Sequence, residues 1–373
     1  MSQDIQSIFK AHLKTAKKEY EGGKNIPLGS GHKIYKLSSN ENPLGPSPKA
    51  IEAIKGAAQE LHRYPDQTDV RVRKALANYF GNKLPEDRFL LGNSGSEIID
   101  LIGRAFLEVG DEVIISNPCF LPYKVFSQWY GAKVVDVPLM APDYNLDIKG
   151  ILNAVTPRTK IIFLTSPNNP TGTYIPKSDL DNLLSKLPGN IVVILDEVYW
   201  QFVTAPDYVT ALPFVEEGFP IIAINSFSKV YGLAGLRVGY CYSTKAIIDY
   251  MRQLCKPFLL PSPSIEGAIA ALEDSVFLEE TLQTVHKGRQ FLEEAFNTLQ
   301  IRYWPSQANF FLIDPPIPEN DFVEALMEYG IMVRPVSNFG ATGKVRITVG
   351  TMETNQLLIK AMESICAKCP QGN

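Results

Sequence analysis

The segment NSFSKVYGLAGLRVG, residues 225–239, sets Lys229 between serines and a glycine-rich stretch, directly after the apolar run Ile221–Ile224. A primary amine there could hold a phosphate, form a covalent bond, or do neither. In NIVVILDEVYWQF, Asp196 follows five consecutive apolar residues, which puts a carboxylate at a strand end with little water. Unpaired there it would cost several kcal/mol in order of magnitude or take up a proton, so it calls for a cationic partner. GNSGSEIIDLIGRAF places glycine and serine just ahead of an apolar-periodic helix with Glu97 in its first turn. The backbone N–H groups of Gly95 and Ser96 would then point at any anion on that helix terminus. The pattern is neither a Walker phosphate loop nor a dinucleotide G-x-G-x-x-G, which counts against a nucleoside triphosphatase or a Rossmann dehydrogenase.

The elements that must position these residues show in the apolar patterning. Short apolar runs, several of them β-branched, recur at 88–92, 111–116, 132–139, 160–166, 190–197, 220–226 and 237–243, separated by helical patterns. That alternation predicts an α/β domain with a mostly parallel sheet covered on both faces. Several runs end in polar turns (GNSGS, SNPCF, TSPNNPTG, DEVY, NSFSK), and in open α/β sheets such strand ends converge on one ligand crevice. From about Ile247 to Leu299 the texture is helical, with a long helix expected near 265–295. ANFFLIDPP, DFVEALMEYG, GIMVRP, KVRITVG and a terminal helix then read as a smaller α+β unit. The expected division is a large domain over 45–275 and a second unit made from an N-terminal arm, 1–44, with residues 276–373.

Composition sets the outer bounds. The chain has 373 residues, 36 basic against 40 acidic, a formal net charge of −4, and no run of five like charges that would mark a nucleic-acid or membrane surface. Small molecules and other protein chains are the expected partners. The first twenty residues read as an amphipathic helix without the apolar stretch of a signal peptide, and the chain reads as cytoplasmic. Five scattered cysteines suit a reducing compartment. The terminal CAKC has no second Cys/His pair to complete a metal site, so no metal is expected.

Taken in order, LSSNENPLGPSP (37–48), RYPD (63–66), NNPTG, DEVY, SKVYGLAGLRVGY, ANFFL and KVRITVG carry a resemblance over nearly the whole chain. The sequence resembles the fold type I pyridoxal-phosphate (PLP) aminotransferases, and within them the histidinol-phosphate aminotransferase branch. The resemblance implies a large domain with a mostly parallel seven-stranded sheet, a smaller α+β domain, and a homodimer. It implies that Lys229 holds the cofactor aldehyde as an imine and later moves the substrate proton, while Asp196 pairs with the pyridine nitrogen. Asn169 and Tyr199 match donors to the cofactor's phenolic oxygen. Ser226, Ser228 and Arg237, with the backbone of Gly95 and Ser96, match the phosphate cup. Phe120 matches the aromatic stacked on the ring, and Tyr64 a tyrosine lent to the phosphate of the neighbouring subunit. Arg346 and Arg334 match the anion ligands of the substrate, with Asn309 beside them. One departure stands out. Where the family usually has Gly-Ser/Ala-Asp-Glu, this chain has Ser94, Gly95, Ser96 and Glu97.

The implied activity is amino transfer from L-histidinol phosphate to 2-oxoglutarate in histidine biosynthesis. Threonine-phosphate decarboxylation and aromatic amino-acid transamination would use the same cofactor residues. A non-catalytic PLP-binding regulator is the alternative of another class. Such regulators usually carry an N-terminal DNA-binding module, for which the roughly twenty residues before EGGKN leave no room.

Overall fold

The structure is a computed structural model describing residues 5–14 and 33–368. Along these run β1 (Tyr35–Lys36), β2 (Phe89–Gly92), β3 (Glu112–Ile115), β4 (Lys133–Asp136), β5 (Thr159–Thr165), β6 (Val192–Asp196), β7 (Ile221–Ser226), β8 (Gly239–Tyr242), β9 (Phe310–Ile313), β10 (Ile331–Met332), β11 (Arg334–Pro335) and β12 (Val345–Thr348). β2 to β8 coincide with the seven apolar runs and form one sheet in the order β2-β8-β7-β6-β5-β3-β4. Only β8 runs antiparallel to its neighbours, β2 and β7.

Both faces of this sheet are buried because both residue sets of each central strand are apolar. Val193 and Leu195 of β6, with Ile221 and Ala223 of β7, enter one core; Ile194, Ile222 and Ile224 enter the core on the opposite face. Alternation with a period of two delivers neighbours to opposite faces, and each fully buried Ile or Leu contributes about 1.5–3 kcal/mol. The helix Gly95–Phe106 turns Ile98, Ile99 and Ile102 onto the second face.

A third core, including Leu292, Phe296, Phe311, Ile347 and Met362, lies under the antiparallel sheet β11-β12-β9. β1 pairs in parallel with β10, so the chain just before LSSNENP is tied to the C-terminal part. The segment 38–41 then runs from there to the ends of the large sheet.

Two sequence expectations are corrected. The N-terminal segment is not one amphipathic helix where it is described, but the 3-10 turns Ile5–Ile8 and Ala11–Leu13, with Ile8, Phe9 and Leu13 exposed. Helical stability comes mostly from packing an apolar face, and here those apolar side chains are exposed. Residues 1–4 and 15–20 of that segment lie outside the described residues. The helix expected near 265–295 is two helices, Ser262–Leu272 and Ser275–Thr298. Asp274 breaks it: one carboxylate oxygen caps Phe277 N, and the other accepts from the Ser47 hydroxyl at 2.7 Å. Of CAKC, Cys366 lies in the terminal helix Met352–Lys368 and Cys369 is outside the described residues.

Candidate active site

The carboxyl ends of β2, β5, β6 and β7 open on a cavity of about 280 Å³ lined by Gly95, Ser96, Asn169, Asp196, Ser226 and Lys229. Phe120, Tyr199, Ser228, Arg237, Arg334 and Arg346 line it as well. Of the residues singled out from sequence, twelve thus share one cavity, and two stand elsewhere. Tyr64 is 83% exposed, its ring centroid 4.9 Å from that of Phe258. Asn309 is fully buried and reaches the cavity only through Asn40, whose carbonyl it binds at 3.1 Å.

Asp196 is the last residue of β6, so its side chain emerges where the apolar run ends. Burial pushes its carboxyl up to about 6 against the hydrogen bonds and charge that favour ionisation. Those are the Tyr123 hydroxyl at 2.6 Å, the Val198 N–H at 3.2 Å and the nearby Lys229. No ion pair forms at Asp196 among the described residues. A protonated ring nitrogen would supply the cation the sequence called for.

Lys229 follows β7 by three residues, and its Nζ donates to the Ser39 carbonyl at 2.9 Å. Part of its surface opens into the cavity. Burial, then the positive charge of Arg346, lower its ammonium to about 7. A neutral amine is therefore well populated near neutrality, as a nucleophile or proton carrier requires.

The candidate anion cup has a backbone part and a side-chain part. Gly95 and Ser96 begin a twelve-residue helix, so their N–H groups have no partner within it. Gly239 passes so close beneath that a Cβ there would lie 2.5 Å from Gly95 N and 2.6 Å from the Ser94 carbonyl carbon. Ser94, where the family usually has glycine, stands at φ 81° and ψ 166°, a region other residues enter only under strain. Its side chain makes no cap; Glu97 instead accepts from Asn93 N at 2.6 Å. The Ser226 and Ser228 hydroxyls are 2.8 Å apart, and Arg237 Nη1 is tethered to the Ala234 carbonyl at 3.0 Å.

At the other edge, Arg334 and Arg346 are direct cross-strand partners on β11 and β12 and so share one face. Arg346 donates to Asn169 Oδ1 at 2.5 Å and to the Ser38 carbonyl at 2.7 Å. Asn169 thereby spends its carbonyl oxygen on Arg346 and keeps its NH2 as a donor. Phe120 meets Tyr123 edge-on at 5.6 Å.

Sequence reasoning missed Ser38, Ser39, Asn40 and Glu41, which line the cavity, and Tyr123, which holds Asp196. The first four sit in the quoted LSSNENP, where a polar run just before a proline turn was the available signal. Tyr123 gave none, since a tyrosine in an apolar helix reads as core. Glu197, beside Asp196, faces away and binds Ala211 N, Asn225 Nδ2 and the Tyr242 hydroxyl, joining β6 to β7 and β8.

An amine, an acid, a hydroxyl and an amide donor, an aromatic ring and an anion cup around one cavity fit pyridoxal 5′-phosphate. The fit rests on the buried Asp196, which has no ion pair among the described residues, and on the close approach of Gly239 to the helix terminus whose amides face the cavity.

Comparison with known proteins agrees. The chain is 34% identical over 335 residues to the histidinol-phosphate aminotransferase of Moorella thermoacetica, spanning 90% of this chain and 86% of that one. It is 36% identical to that of Symbiobacterium thermophilum, over 89% and 91%. Among solved structures, histidinol-phosphate aminotransferase from Sinorhizobium meliloti in complex with pyridoxal-5′-phosphate shares the fold, with TM-score 0.86 at 24% identity, covering 97% of this chain and 98% of that one. Aspartate aminotransferase from Thermus thermophilus with maleate gives TM-score 0.79 at 25% identity, covering 90% and 92%. The pattern of the family described as aminotransferase class I and II matches residues 32–362, and the chain belongs to that family.

Proposed function

We propose that the chain is a PLP-dependent aminotransferase that moves the amino group of L-histidinol phosphate to 2-oxoglutarate, giving imidazole acetol phosphate and L-glutamate in histidine biosynthesis. The observation that carries the substrate is the Arg334/Arg346 pair, two guanidinium groups on one face of β11-β12, separate from the Arg237 that serves the cofactor cup. A pair of forks suits a phosphate dianion and also takes the carboxylate of the second substrate. Relatives named histidinol-phosphate aminotransferase, 34–36% identical over about nine-tenths of the chain, support the same reading.

When bound, the cofactor supplies an aldehyde for imine formation and a ring that spreads the charge left when the substrate's α-proton departs. In this reading the neutral Lys229 Nζ would hold the cofactor through its aldehyde and, once the substrate amine takes its place, would carry the substrate proton. Asp196, held by Tyr123 and Val198, accepts a hydrogen bond from the ring nitrogen and keeps it protonated. Tyr199 and Asn169 would donate to the phenolic oxygen, Phe120 would cover the ring, and Gly95, Ser96, Ser226, Ser228 and Arg237 would hold the phosphate. Tyr64 completes the cup of the partner subunit in a homodimer, and Asn309 supports the substrate end. The division into 45–275 and the remainder, and a cytoplasmic location, belong to the same proposal.

The test offers histidinol phosphate, phenylalanine and threonine phosphate, each with 2-oxoglutarate, and follows glutamate and carbon dioxide. Glutamate formed fastest with histidinol phosphate is the expected result. Carbon dioxide from threonine phosphate without glutamate would overturn the proposal. Borohydride reduction should fix the cofactor to Lys229, and Lys229→Ala should retain it only noncovalently.

A further inference from the structure

Asn40 belongs to the polar run that sequence reasoning left without a role, yet it is 1% exposed and holds φ 55°. Its backbone N–H donates to Thr348 Oγ1 at 2.9 Å, and Thr348 Oγ1 lies 3.3 Å from Asn40 Oδ1. The Thr348 hydroxyl accepts from Asn40 N with one lone pair and gives its proton to Asn40 Oδ1. The amide of Asn40 is thus fixed in one orientation, with Nδ2 and not Oδ1 toward the Tyr199 hydroxyl, 2.9 Å away. Asn309 Nδ2 holds the Asn40 carbonyl at 3.1 Å and locks the backbone behind it.

A phenol oxygen that accepts from an amide still has its single proton to give, and the donor position occupied by Asn40 decides where that proton does not point. We infer that Asn40 is a positioning residue: it fixes the Tyr199 hydroxyl as a donor into the cavity. The inference rests on the proposal that Tyr199 faces the cofactor's phenolic oxygen. A donor there draws charge from that oxygen and lowers the proton affinity of the nitrogen sharing its hydrogen bond. Asn40 would therefore tune the protonation of the lysine-bound cofactor without touching it.

The measurement is the pH midpoint of the visible absorption change in the cofactor-loaded protein. Asn40→Gly removes the side chain and accepts the left-handed backbone without strain. It should raise the midpoint by about half to one pH unit, the scale of one hydrogen bond. Thr348→Val, which frees the amide to rotate, should raise it in the same direction and serves if the glycine variant does not fold. In a Tyr199→Phe background neither substitution should move the midpoint further, whereas a merely structural loss would persist there. If Tyr199→Phe alone left the midpoint unchanged, both the placement of Tyr199 and the inference would fall. If Tyr199→Phe shifted it while the folded Asn40 and Thr348 variants did not, or shifted it equally in both backgrounds, only the inference would fall.

Discussion

Asp196 and Lys229 face each other across one cavity with their proton affinities driven together by burial, the carboxyl up to about 6 and the ammonium down to about 7. For Asp196 the folded value lies above the ordinary 3.8, so folding favours the protonated form. The cofactor-free protein therefore bears the cost of a buried charge fully above about pH 6 and escapes it as pH falls below about 4. Asp196→Asn should raise the unfolding free energy of the cofactor-free protein by about 1–2 kcal/mol at pH 8 and change it little at pH 4. The same substitution should weaken cofactor binding at least about tenfold, the scale of one charge-assisted hydrogen bond. Thermal unfolding at the two pH values and a cofactor titration check both. For Lys229 the sign runs the other way: only the neutral amine attacks an aldehyde, so the rate of covalent cofactor attachment should rise with pH through a midpoint near 7. A midpoint near 10, seen in stopped-flow absorbance, would show that burial does not set this amine. Lys229 and Asp196 were legible in the sequence because a charge after an apolar run has no innocuous place to go. Tyr123 was not, and of Asn40 only the polar run showed, because a buried tyrosine or asparagine acquires its role from partners that folding brings near.

The turn between β2 and the helix Gly95–Phe106 is where strand, helix and β8 meet most closely. Gly239→Ala would drive a methyl group into Gly95 N and the Ser94 carbonyl carbon, and neither backbone atom can swing aside. The amides that make the cup should move with it, so cofactor affinity is expected to fall about tenfold or more while far-UV circular dichroism stays native. Ser94→Gly should act oppositely on stability. At φ 81° and ψ 166° it removes strain of order 1–3 kcal/mol, partly offset by the greater freedom of glycine in the unfolded chain. A net gain of about 1 kcal/mol in denaturant unfolding is expected. At this scale the seven strands were readable because their apolar runs are β-branched and bounded by turns, which leaves a doubly covered sheet as the consistent arrangement. The helix break at Asp274 was not readable, since an aspartate in a helical pattern looks solvated until Ser47, more than two hundred residues earlier in the chain, arrives to bind it.

In the whole molecule, Tyr64 stands apart from the cavity of its own chain, 83% exposed and tilted against the ring of Phe258, itself 41% exposed, with Leu61 nearby in sequence at 61%. Two large exposed aromatics in contact are costly to leave in water and suit burial against a second copy. If Tyr64 serves the partner's phosphate cup, each site takes its lysine from one chain and this tyrosine from the other. Subunit mixing separates that arrangement from a site built within one chain. A Tyr64→Ala protein has intact lysines but lacks the lent hydroxyl, and a Lys229→Ala protein has the tyrosine but no amine. In a mixed dimer, the site carrying Lys229 from the first chain receives Tyr64 from the second, and its companion site lacks both. Random assortment of equal amounts makes about half of the dimers mixed, so activity should return to about a quarter of the wild-type value per subunit. Were the tyrosine to act within its own chain, mixing would leave activity at the average of the two variants, because no combination would place a lysine and a tyrosine in one site.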